Sequence, residues 1–524
     1  MKSTMFATKR KQEEPHLSRE EYDEQERKED GKSKTNWRQD LFAMATPNTL
    51  ASRKMVAANK FDKKQEFGRY IKALNTSYYN WFKEQVTSDP YAYLVNGAQD
   101  FVDHTIQLEE RYLRANGEVL TFGLGDCGQL AHGIDNDEDL MVKFPRIVYS
   151  LSDKKVCGIS CGGLHNAVFT ESGQVYTWGC ADNGSLGRTG DESLPFLVDK
   201  LANEIIVGVS CGDVSTIAIS IKGQVWGWGC YLDKEGKKWF PSSDATIGNC
   251  KSINNQQNEP VLIAGLNDII DVACGSAVSL ARGSDGALYS WGVGECGELG
   301  RDAPPMYKAD GSGLDIENIF RHRITPGFMY RINEKTPVRD AKAIGCGSYS
   351  SMVVVSGGEL LSCGLNNYGQ LGLGDTTDRS ILHSVETLKD AYNIVSVKGG
   401  MHHSLCLTSE GKLIAVGRSD SGQLGVSGLS NQAGDSATDP VFPVLPDNAV
   451  AVAISCGGNH NLVLTSKNEV YTWGYGDTLA LGHGKDADET TPKKINFSKA
   501  QVNNITVTQV CGGGQHSAIL GKFK

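Results

Sequence analysis

The residues of this chain that could carry covalent or metal chemistry are its fourteen cysteines and eleven histidines. Their spacing argues against both kinds of site. There is no Cys-x-x-Cys pair, and the usual ligand spacing of zinc is absent. The cysteines instead precede glycines at regular intervals, at Cys161, Cys211, Cys274, Cys346, Cys456 and Cys511, and Lys398 replaces the cysteine before Gly399-Gly400. Small buried thiols in a reducing compartment fit that placement. His165, His403, His460 and His516 recur just after these glycines. Each is expected to be structural, bonding a turn carbonyl. No Gly-x-x-x-x-Gly-Lys and no His-Glu-x-x-His occurs. No metal and no cofactor is expected, and a hydrolase or oxidoreductase has the least support.

The elements that hold these residues come from a repeat written seven times. Its fullest copy runs Cys161-Gly162-Gly163-Leu164-His165, a turn at Ser172-Gly173, Val175-Tyr176-Thr177-Trp178-Gly179, then Gly184-Ser185-Leu186-Gly187. The strand end recurs at Phe122-Gly123, Trp228-Gly229, Trp291-Gly292, Cys363-Gly364, Val416-Gly417 and Trp473-Gly474. Between paired apolar runs lie Lys222-Gly223, Asp285-Gly286, Gly357-Gly358, Glu410-Gly411 and Lys467-Asn468, residues suited to the positive φ of a tight hairpin. The first copy begins late, at 116–123, and the last stops early, at 511–520. Pairing 518–520 with 119–122 inside one shared blade would close a ring and remove exposed sheet edges. The expected fold is therefore all-β: a seven-bladed propeller over 115–524, closed by its two chain ends. An open solenoid would not need half-copies at both ends.

The composition sets further bounds. The net charge of −10 disfavours a broad nucleic-acid surface and favours a basic protein partner. No apolar run nears the roughly 20 residues that span a bilayer, and no apolar leader opens the chain, so no membrane association is expected.

The repeats resemble the regulator of chromosome condensation family, over about 118–523. The third copy inserts Tyr231–Lys237 after Trp228-Gly229-Cys230, where the nuclear exchange factor for the GTPase Ran has a projecting β-wedge. The fourth carries a long insert after Leu299-Gly300-Arg301, to about Pro337, where that factor is also longest. The Gly-Trp-Arg-His motif of the plant UV-B photoreceptor is absent. The resemblance implies nucleotide exchange in the nucleus: binding Ran, disordering its phosphate loop and metal site, and stabilising the empty state. It implies a Ran-facing role for Asp213, within Gly212-Asp213-Val214-Ser215-Thr216, with a turn aspartate bonding backbone amides as the alternative. It implies an exchange role for His402. Asp233, Lys234, Glu235 and Gly236 of the wedge become candidate contacts, or else a solvated hairpin tip. Two departures stand out. Ser215 replaces a usual histidine, and Ala277 replaces a second acid. They favour the alternative of a non-catalytic transport-factor or chromatin scaffold. Exchange on another small GTPase is a third possibility.

Residues 1–60 are charged and poor in apolar residues, as disordered tails are. Residues 61–114 hold two apolar stripes at helical spacing, Phe67 to Phe82 and Leu94 to Leu113, as in a helical hairpin packed on the propeller. Part of the segment (Ala73-Leu74-Asn75, Trp81, Pro90, Asp100-Phe101) resembles the nuclear-basket nucleoporin that binds importin-α. On that resemblance Lys9, Arg10, Lys11, Arg53 and Lys54 are candidate importin-α contacts. Chromatin or histones are further candidate partners.

Overall fold

The computed structural model describes residues 117–133, 136–241, 256–334, 336–429 and 434–523. The expectations for 1–60 and 61–114, with Lys9, Arg10, Lys11, Arg53 and Lys54, lie outside these residues. The described chain folds into seven four-stranded antiparallel sheets and one short hairpin. Each blade uses the repeat in order, from the innermost strand to the outermost. Blade 2 is Val156–Cys161, His165–Thr170, Val175–Gly179 and Phe196–Leu197; blade 3 is Ile206–Cys211, Ser215–Ser220, Val225–Gly229 and Gln257–Leu262. Blade 4 starts at Ile269–Cys274, blade 5 at Ala341–Cys346, blade 6 at Ile394–Gly399 and blade 7 at Ala451–Cys456. Blade 1 joins Ile505–Gly512 and His516–Phe523 from the end of the chain to Glu118–Leu124 and Met141–Ile147 from its start. Val119 lies opposite Leu520 and Phe122 opposite Ser517.

Burial explains the sequence of each strand. The second strands of blades 2, 3, 5, 6 and 7, such as His165–Thr170 and His460–Thr465, are buried at every position, because neighbouring blades cover both faces. Outer strands meet water and alternate, and those of blades 1, 3, 6 and 7 carry Pro145, Pro260, Pro440 and Pro492, a residue tolerated on sheet edges. The hairpin residues do adopt positive φ: Gly173 at 79°, Gly223 at 70° and Asn468 at 63°. The Leu-Gly motif has a packing reason. A Cβ on Gly187 would sit 2.8 Å from the Trp228 ring, and one on Gly425 would sit 2.6 Å from the Trp473 ring. Each such glycine makes room for the next blade's tryptophan, whose indole N–H bonds a loop carbonyl of the preceding blade: Trp228 to Ser185 at 2.8 Å, Trp473 to Gln423 at 3.0 Å.

Three sequence expectations need correcting. The strand register puts Gly399 opposite Ser404 and Gly512 opposite Ser517, as Cys161 is opposite Asn166. Gly399 and Gly512 thus hold the cysteine place, and Lys398 and Cys511 lie one residue before it. The recurrent histidines reach across to side chains of the next blade: His165 to Thr216 at 2.8 Å, His403 to Asn461 at 3.0 Å, His460 to Ser517 at 2.8 Å and His516 to Asn166 at 2.7 Å. His165 also bonds the backbone of a turn, at Asp213 of that next blade. Burial pulls all four imidazoles down, to about 4 for His165 and His403 and about 3 for His460 and His516, so they are neutral bolts. Asp233 is the third, buried within the wedge instead of lying on its surface. The thirteen described cysteines are free thiols.

Candidate partner-binding face

One end of the propeller collects every described candidate. The turn after each first strand and the loop after each third strand lie together there. Cys230 N bonds Val214 O at 3.1 Å, Val293 N bonds Ala277 O at 2.8 Å and Arg418 N bonds His402 O at 2.9 Å. Around the mouth the turns are linked by backbone bonds, including Gly163 N to Gly212 O, Ser276 N to Ser348 O, Met401 N to Gly458 O and Gly514 N to Gly162 O. Among the described residues this chain of bonds is broken between blades 3 and 4, at Asp213.

Asp213 is exposed, and among the described residues its carboxylate accepts no hydrogen bond. It is therefore not a turn aspartate capping backbone amides. Flanking protein keeps water away from part of the group and raises its pKa.

The wedge is a hairpin, Tyr231–Leu232 against Lys238–Trp239. Asp233 is inside it, not at its surface. Oδ1 accepts from Glu235 N and Lys237 N, both at 2.9 Å, and Oδ2 from the Trp239 indole at 2.9 Å. A short turn rich in amides needs such an acceptor, so the first acid of the motif is consumed in building the wedge. Lys234, Glu235 and Gly236 form the exposed tip. Gly236 has φ +76° and open space around it. Glu235 is held by Lys237 and by the Tyr307 hydroxyl, and both hydrogen bonds lower its pKa.

His402 lies across the mouth, half-buried, with its ring 4.9 Å from that of Tyr368. Arg418 covers Tyr368 at 5.3 Å and pairs with Asp420 at 2.5 Å. Burial first, then Arg418, lower the His402 pKa against the pull of Asp420. Its Nδ1 has no partner among the described residues. The two departures are both buried: Ser215 at 0% and Ala277 at 3% exposure.

Several residues of this face were not singled out from the sequence. Tyr307 and Arg323 come from the blade 4 insert, which has no repeat to compare. Glu295 stands where blade 1 has Asp126, one loop acid for another, so the repeat does not set it apart. Glu298 did carry a signal. It occupies Gly297-Glu298-Leu299-Gly300, where blades 1, 5 and 6 have Gln129, Gln370 and Gln423. It is fully buried, and burial pushes its carboxyl up to about 7.

A family model for the RCC1-like domain matches residues 118–519. The chain belongs to this family. Similar members include the regulator of chromosome condensation of Homo sapiens, 32% identical over 418 residues, covering 78% of this chain and 91% of that protein. The guanine nucleotide exchange factor SRM1 of Saccharomyces cerevisiae is 24% identical over 482 residues, covering 80% of this chain and 90% of SRM1. Among solved structures, Prp20p from the same yeast shares the fold with a TM-score of 0.67 at 23% identity, covering 80% of this chain and 95% of that one. The RCC1-like propeller accounts for the described chain.

Proposed function

We propose that this chain is a guanine-nucleotide exchange factor for the small GTPase Ran, acting in the nucleus. The observation that carries the reading is the wedge: an exposed tip beside a free carboxylate, Asp213, on one face of an RCC1-like propeller. The kinship with a named exchange factor supports it. In this reading Asp213 meets a basic group of Ran and Lys234, Glu235 and Gly236 press on the nucleotide-binding region. His402 contacts Ran across the mouth. Exchange follows because the propeller prefers the nucleotide-free conformation, which lowers nucleotide affinity by the same coupling free energy. No bond to the protein forms.

The work reported for Prp20p concerns its binding to Gsp1p and histones, and yeast RCC1 has been solved with Kap60 bound. By the same pattern we assign chromatin to this chain and importin-α to its first 114 residues. Loss of importin-α capture after Lys9, Arg10, Lys11, Arg53 and Lys54 are changed to alanine would support the second assignment; unchanged capture would reject it.

Release of labelled GDP from Ran by the full chain tests the main reading. Acceleration over intrinsic release is expected, and its absence rejects exchange on Ran. The buried methyl of Ala277, where the family has a second acid, favours one competing reading. That reading is stable binding of Ran with GDP release unchanged.

A further inference from the structure

Blade 4 and its joint to blade 3 depart from the histidine-joined blades in three ways that converge. First, the histidine place of blade 3 is Ser215. The side chain that a histidine would reach, Ser279, is bonded instead by the Tyr231 hydroxyl at the wedge root, at 2.7 Å. Second, the glutamine place of blade 4 is Glu298. In blade 1, Gln129 Oε1 accepts from Cys127 N at 2.9 Å and Nε2 donates to Leu124 O at 2.9 Å. Glu298 keeps the first bond, from Cys296 N at 2.8 Å, but a carboxylate has no hydrogen for the second. Third, the missing donor comes from elsewhere. Val293 is the counterpart of Leu124, and its carbonyl accepts from Arg323 Nη1 at 2.9 Å. Arg323 also holds Gly294 O at 2.7 Å and Pro304 O at 2.9 Å.

Arg323 belongs to the blade 4 insert, which reaches the wedge at two points. Phe320 meets Trp239 edge-on at 5.8 Å, and the Tyr307 hydroxyl donates to Glu235 Oε1 at 2.5 Å. From the blade itself, Glu295 accepts from Lys234 N at 2.8 Å. Wedge core and insert core are one cluster, with Tyr231, Trp239, Phe240, Met306, Ile319 and Phe320 packed together.

We propose that the insert over 301–326 is a brace that fixes the wedge, and that Arg323 is its positioning residue. Arg323 plugs the insert into the loop of blade 4 through a carbonyl whose counterpart in blade 1 is served by glutamine. It is 8% exposed, so it sets the wedge without touching a partner. The functional half of this proposal rests on the exchange reading above; the structural half does not.

Amide hydrogen exchange on the full chain tests the structural half. In Arg323→Met, the amides of Lys234 to Lys237 should exchange about tenfold faster or more, while those of His403–Thr408 stay unchanged. On Ran, the maximal rate of GDP release should fall about tenfold or more with the half-saturating concentration within about threefold, as misplacement of a working group predicts. If Arg323→Met does not fold, Tyr307→Phe removes one bond at an exposed site and should speed exchange at Glu235 about threefold. Unchanged wedge amides overturn the brace. Loosened amides with an undiminished release rate overturn its role in exchange. A wild-type chain that releases no GDP rejects the function, while the amides still judge the brace.

Discussion

Going round the ring, blades 6, 7, 1, 2 and 3 are joined in sequence by His403, His460, His516 and His165, each reaching a polar side chain of the next blade. The joints from blade 3 to 4, 4 to 5 and 5 to 6 have Ser215, Val278 and Ser350 at that place. The wedge, the insert, Asp213 and Ala277 all lie on this second arc. The bolted arc uses the same kind of joint throughout, so each blade there repeats its neighbour. On the other arc the standard joint is gone, and between blades 3 and 4 the wedge root takes its place, with the Tyr231 hydroxyl on Ser279. Most of the candidate face thus lies where the ring gives up its repeated joint, with His402, beside the His403 joint, as the exception.

The sharpest way to break this comparison is to remove one residue from each arc. His516→Ala should cost about 2–4 kcal/mol, from the lost ring contacts and an unpaired Asn166 amide oxygen in a dry interface. Ser350→Ala should cost under about 1 kcal/mol. Thermal unfolding of the two variants measures the difference, and equal losses would remove the distinction between the arcs.

The arcs should also respond oppositely to pH. The buried histidines titrate near 3 to 4 in the folded chain against an ordinary value near 6.5, so their contribution is intact above about 6.5 and drains away as pH falls. Glu298 works the other way. Its folded value, about 7, lies above the usual 4.5, so the charge penalty of its burial is absent at low pH. The penalty grows as pH rises past the unfolded value and is complete above the folded one. Glu298→Gln should therefore leave stability unchanged near pH 4 and raise it by up to about 3 kcal/mol at pH 8. Denaturant melts at the two pH values decide this. A gain of the same size at both would show that Glu298 does not titrate in this range. His516→Ala should instead lose most of its penalty in acid, because His516 is itself held far below its ordinary value.

Tyr231→Phe probes the substitute joint directly. It removes one hydroxyl and leaves the Ser279 hydroxyl buried, at a cost of about 1 kcal/mol. Tyr231 stacks on Phe240 at 5.9 Å, and that contact survives in the variant. The loss should therefore appear at the blade 3 to 4 joint, as faster amide exchange in Val278–Gly283, and not in His460–Thr465. Equal changes in both strands would mean that Tyr231 supports the ring as a whole.

The ring itself was legible in the sequence because its signals are local and repeated. Glycines at hairpin tips, tryptophan before glycine and the Leu-Gly pair each answer a need within a few residues or one blade away. The repeat position of the histidines points to a structural role but not to their main partners. Those partners lie 51 to 58 residues onward, or 350 across the closure, where no local pattern points. Asp233 was misplaced for a similar reason. Its three donors depend on how the hairpin folds back, which charge alone does not reveal. Glu298 was visible as a break in a glutamine pattern, yet its meaning needed Arg323, which comes from a segment with no counterpart in other blades.

The smallest expected effect on stability belongs to Asp213, and it separates the two arcs most cleanly by purpose. Its carboxylate is exposed and takes no hydrogen bond among the described residues, and partial desolvation holds its pKa up. A group in that state does little for the fold, so Asp213→Ala should change unfolding free energy by less than about 0.5 kcal/mol. A basic partner group would compensate for the desolvation, and binding should then bring the carboxyl's pKa down. The same variant is therefore expected to weaken capture of Ran by about tenfold or more, with a loss that shrinks as salt is added. A destabilised Asp213→Ala would place the residue among the joints. A stable variant with full capture and full GDP release would remove Asp213 from the partner surface and leave the wedge tip to carry recognition on this arc.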